Sequence, residues 1–115
     1  MTLDLNQRWS EFLMKASYHF KVNANQEFLL FIIGLQELGQ GFKSYSKQEK
    51  MDIINLARCR LLTISNCLKQ TGMDDEGWPT FEVLKDENEL LPSERDRLMK
   101  ESMMTYFDTH LFNPR

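Results

Sequence analysis

The stretch "TGMDDEGWPTFE", residues 71 to 82, sets Asp74, Asp75 and Glu76 beside Gly77, Trp78 and Pro79. Acids next to a glycine raise calcium chemistry first, because an EF-hand loop takes oxygen ligands at alternating positions, a glycine at the sixth and a bidentate Glu at the twelfth. With Gly77 sixth, the first position falls on Gly72 and the twelfth on Val83, and neither side chain carries an oxygen. Calcium would lack both end ligands. Two readings of the stretch remain. In the plainer one, Trp78 plugs the connector against the rest of the chain and Pro79 fixes its direction. In the other, Trp78 stands outward as an anchor, and Asp74, Asp75 and Glu76 draw a basic partner.

Other chemistries lack their groups. Zinc needs about four His, Cys or carboxylate ligands on converging elements, and the chain has two His and two Cys with no C-x-x-C or H-x-x-x-H spacing. Paired Glu-x-x-His motifs of the di-iron bundles are missing. No metal and no cofactor is expected. His19 and His110 fall near helix ends, where a cation meets the negative pole of the helix, so they read as caps. The glycines of "GLQELGQG" close a helix rather than opening one after a strand, so they make no phosphate loop. Cys59 and Cys67, read on one helix, stand about 12 Å apart, beyond the span of a disulfide. Neither is tied by a motif to a histidine, and both read as reduced, inert thiols.

Glu37 is the remaining carboxylate of interest. It lies either at the edge of the core with a raised pKa, beside a small pocket, or in water at a helix end. The second is the better reading, since helix ends reach the surface and buried Glu is rare.

These residues must be placed by a mostly helical chain. Leu5, Trp9, Phe12, Leu13, Ala16 and Phe20 recur at steps of three and four, which predicts an amphipathic helix over about 4–20. Asn23 or Asn25 can cap the next helix. The run "QEFLLFIIGLQEL" is apolar on nearly all sides, which predicts a central helix ending at Gly39 or Gly41. Ser46 and Glu49 form a capping box for a third helix, whose apolar spacing runs through Leu61, Ile64 and Leu68 towards Gly72. "TFEV" alternates as a short extended segment, too brief to make a sheet alone. "LKDENELL" suits one or two helical turns. Pro92 then opens a last helix over roughly 93–110.

Charge is uneven. Residues 42–72 carry six Lys or Arg against two acids, and residues 73–91 carry seven acids against one Lys. On a continuous third helix Lys47, Arg58 and Lys69 would fall on one arc, the only basis for nucleic-acid binding. The net charge of −3 weighs against it. Met99, Met103 and Met104 give the last helix a broad apolar arc, suited equally to the core and to a second copy. The longest apolar run, Phe28 to Leu35, has eight residues, against roughly 20 for a bilayer span. No membrane is expected, and the opening "MTLDLNQRWSEF" lacks an export signal.

The segments "FIIGLQELGQGF", "SKQEKMDIINLA" and "DDEGWPTFE" resemble small uncharacterised helical proteins of Bacteroidota-type bacteria, over residues 25–83. The resemblance implies a bacterial cytoplasmic setting and transfers no catalytic or binding residue. The expected product is an all-α single domain over 1–115, a compact bundle of four main helices with an acidic Trp-Pro connector before the last. Its expected function is a non-enzymatic protein-interaction module, alone or as a homodimer. A small-molecule binder or small enzyme with a pocket at Glu37 is the alternative, and nucleic-acid binding through the third helix comes third.

Overall fold

The first three helices each begin where a side chain accepts from their free N–H groups. Asp4 accepts from the Gln7 backbone at 2.8 Å and opens α1 (Leu5–Phe20). Asn25, rather than Asn23, accepts from Phe28 N–H at 2.8 Å and opens α2 (Gln26–Leu38). Ser46 and Glu49 exchange both bonds of the capping box at the head of α3 (Lys47–Ile64). Pro92 occupies the first turn of α4 (Pro92–Phe107), where its missing N–H costs nothing. This computed structural model describes residues 4–39, 41 and 43–112.

The chain is mostly helical, but it is not all-α. Between α3 and α4, β1 (Leu68–Met73) pairs antiparallel with β2 (Pro79–Val83). Leu68 lies opposite Val83 and Gln70 opposite Phe81, and the register shifts at Thr71, whose hydroxyl meets that of Thr80 at 3.0 Å. The third helix therefore does not reach Gly72. It stops at Ile64 in a Schellman motif: Asn66 takes the left-handed conformation at φ 63°, its N–H meets the Thr63 carbonyl at 3.1 Å, and Cys67 N–H meets the Leu62 carbonyl at 2.9 Å. The Ser65 hydroxyl turns back onto the Leu61 and Leu62 carbonyls. Asn is one of the few residues that adopts this conformation cheaply. After β2, a 3-10 turn at Glu87–Glu89 leads into α4, which ends in a π-helical turn over Asp108–Phe112.

The core lies among the helices. Leu29, Leu30 and Ile33 of α2 meet Ala57 and Leu61 of α3 and Met103 and Phe107 of α4, with Phe12 and Ala16 of α1 closing one side. Met99 and Met103 are buried there, so the expected arc of methionines is core at those two positions. An aromatic cluster seals one end, where Phe112 stands 5.9 Å from Phe12, 5.3 Å from Phe107 and 5.3 Å from His19, ring centre to ring centre. Gly34 sets how closely α2 and α3 pack: a Cβ there would come within 2.3 Å of the Ile53 carbonyl oxygen. Among the described residues, no helix is long and apolar enough to cross a membrane.

Candidate functional site

Two polar regions border α3. The first lies inside the fold. Glu37, near the end of α2, accepts from Arg60 Nε of α3 at 2.5 Å through Oε1, and from the Tyr106 hydroxyl of α4 at 2.7 Å through Oε2. The pair is mostly shielded, with side-chain exposures of 23% for Arg60 and 17% for Glu37. Arg60 also donates to Gln70 Oε1 of β1 at 2.6 Å, and its guanidinium lies 5.8 Å from the centre of the Phe81 ring of β2. One arginine thus ties α2, α3 and the hairpin together. Burial, then the hydrogen bond and charge of Glu37, push the Tyr106 phenol well above its ordinary value of 10.0.

Glu37 therefore does not point into water. The helix-end argument fails here because Arg60 and Tyr106 bring partners to the carboxylate, which offsets the cost of burying it. A cavity of about 420 Å³ does border the "ELGQG" turn, on Gln36, Gly39 and Gly41, but Glu37 is not part of its lining. Sequence reading singles out neither Arg60 nor Tyr106 as a partner of Glu37, and Tyr106 reads there only as part of the apolar spacing of the last helix. The signal that existed was an arginine among apolar neighbours in "NLARCRLLTI".

The second region is the hairpin and the face of α3 beneath it. Asp74 organises the turn: its Oδ1 accepts from the N–H groups of Glu76 and Trp78, both at 2.9 Å, and its own N–H reaches the Trp78 carbonyl at 2.8 Å. Gly77 completes the turn at φ 86°, a conformation that suits glycine. The turn delivers Trp78 half-buried over α3, and Pro79 and Phe81 of β2 follow it. Facing them on α3 are Asp52, Asn55, Leu56 and Cys59, at the spacing of one helix face. Between the two walls runs an open groove of about 390 Å³.

Trp78 is neither a full plug nor a free anchor: it forms part of a wall. Asp74 and Glu76 line the groove with it, and Asp75 is exposed at the turn. No lysine or arginine is among the lining residues. Cys59, half-buried in the groove, has its thiol pushed up by burial and then by the charge of Glu87.

Other sequence candidates are dispersed. Cys67 is not on the helix of Cys59 but buried just before β1, and both thiols are free. Lys69 lies exposed on β1, so the basic arc expected with Lys47 and Arg58 does not form on α3. His19 packs edge-on against Phe20, and His110 lies on the Tyr106 ring at 4.5 Å. Among the described residues, no three His, Cys, Asp or Glu side chains gather as they would to hold a metal ion. A cleft of about 990 Å³ lies where the starts of α1 and α4 meet; Lys85 and Arg97 mix there with Asp4, Glu94, Asp96 and Glu101, and none of the sequence candidates but Cys67 lines it. Compared with known proteins, the chain matches no protein-family model, no curated protein and no solved structure.

Proposed function

We propose that this chain is a non-enzymatic, cytoplasmic protein-interaction module that binds its partner on the hairpin side of α3, through Trp78 with Asp74, Asp75 and Glu76. The observation that carries this reading is the groove itself. It combines a half-buried Trp, the Pro79 and Phe81 side chains and a carboxylate rim, with no basic side chain of its own lining it. Aromatic anchors surrounded by polar groups are the usual makings of a binding hot spot. The Glu37 cluster supports the same assignment from the other direction. Both of its carboxylate oxygens are held by the protein's own groups, which suits a strut rather than an acid–base pair facing a substrate.

The test compares wild type with Trp78→Ala in quantitative capture from the native host, alongside thermal melts of both. Loss of the captured partner with a nearly unchanged melt is the expected result. Retention of the partner by the variant overturns the reading, and a collapse of the melting temperature assigns Trp78 to the fold instead. Self-association through the same face is the homodimeric form of this proposal, and light scattering at increasing concentration reads it directly.

A further inference from the structure

We infer that the groove between α3 and the hairpin takes an arginine side chain of a partner segment, its stem and guanidinium plane on Trp78, Pro79 and Phe81 and its charge among Asp52, Asp74 and Glu76. The inference rests on the interaction reading above and specifies what the partner must present.

Charge complementarity decides the occupant. The three carboxylates border a groove with no lysine or arginine in its lining, and the Arg60 guanidinium stands 5.8 Å from the centre of its Phe81 ring. Their neutralisation inside the protein is incomplete. Asp74 spends Oδ1 on the turn, and Asp52 accepts from the Gln48 amide at 2.9 Å through Oδ1. Asp74 Oδ2 and both oxygens of Glu76 have no partner among the described residues. Arg60, whose guanidinium lies against Phe81, is already committed to Glu37 and Gln70.

The apolar wall selects among cations. A lysine ammonium is a compact, strongly hydrated charge, whereas a guanidinium is planar, weakly hydrated and able to lie on an aromatic face while bonding carboxylates at its edge. Phe81 already accepts a guanidinium in this way from Arg60. A volume of about 390 Å³ holds one long side chain with its adjoining backbone, not a folded element.

The experiment titrates the 15N-labelled full chain with the tripeptide acetyl-Leu-Arg-Leu-amide, with its lysine counterpart, and with the neutral isostere that carries citrulline. The expected result is a saturable shift of the Trp78 indole signal and of the backbone signals of Asp52–Cys59 and Asp74–Phe81 with the arginine peptide. Binding should be about tenfold weaker with citrulline, and it should weaken as sodium chloride rises from ~20 to ~300 mM. The Asp52→Asn/Glu76→Gln double variant, which keeps the Asp74 turn, should lose a similar factor. No saturable shift with the arginine peptide, or equal shifts with arginine and citrulline, overturns the inference. The two proposals fail separately: if Trp78→Ala releases the native partner while the double variant holds it, the interaction reading stands and the arginine does not.

Discussion

Glu37 and Glu76 are both glutamates that border α3, and their surroundings could hardly differ more. Glu37 is mostly shielded and has a charged donor on one oxygen and a phenol on the other. Glu76 sits at a hairpin tip, exposed, contributing its backbone N–H to the Asp74 turn while its carboxylate faces the groove. Glu101 lies between them: it pairs with Arg8 across α1 and α4, but with 41% of its side chain exposed. A carboxylate that the fold neutralises acts as a strut, and one that the fold leaves open can act on something else. The difference is set by what stands opposite each residue, not by residue type.

That contrast can be broken most strongly through the packing that supports Glu37. Gly34→Ala would drive a methyl group into the Ile53 carbonyl and push α2 from α3, with an expected loss of about 3 kcal/mol in urea unfolding, the upper part of the range for overpacking. Glu37→Ala comes next. It leaves Arg60 and the Tyr106 hydroxyl without their acceptor, and because the pair keeps some contact with water the cost should be about 2 kcal/mol, below that of a fully buried pair. Tyr106→Phe removes one hydrogen bond to a charged group and should cost about 1.5 kcal/mol.

The same tyrosine gives the comparison a pH signature. Its folded-state pKa is raised, so its contribution is complete below the unfolded value of 10.0 and is lost as pH climbs above it. Wild-type stability should fall between pH 10 and 12, and the Phe variant should lose that limb of the curve. At the acid end the sign reverses. Arg8 holds Glu101 below its ordinary 4.5, so that contribution is present above 4.5 and disappears as pH falls through the lowered value. Glu101→Gln should flatten the acid limb slightly. On the open side, Glu76→Gln should change stability by less than about 0.5 kcal/mol, as surface substitutions do. A larger loss in the Glu76 variant than in the Glu37 variant would invert the assignment of strut and site.

Much of this architecture could be read from local chemistry. Ser46 with Glu49, Asn25, Gly39 and Pro92 mark helix ends because the groups they satisfy lie within four residues of them. The end of α3 at Ile64 runs against the apolar spacing. Leu61, Ile64 and Leu68 keep a helical period straight across the stop, and apolar spacing outweighed the turn-forming Ser65 and Asn66. Once the chain turns at Asn66, "LKQTGM" becomes the partner that "TFEV" needed to form a sheet, and Lys69 leaves the basic arc.

The sequence by itself determined the helices, most of their caps, and the departure of the acidic stretch from the calcium-loop pattern, since each depends on residue types at short separations. Only the tertiary structure could bring Arg60 to Glu37 across 23 positions and Tyr106 to it across 69. Only the tertiary structure could lay Trp78 beside α3 without cancelling the charge around it. Such pairings depend on how helices and a hairpin pack in three dimensions, where burial makes a charge costly unless a partner meets it.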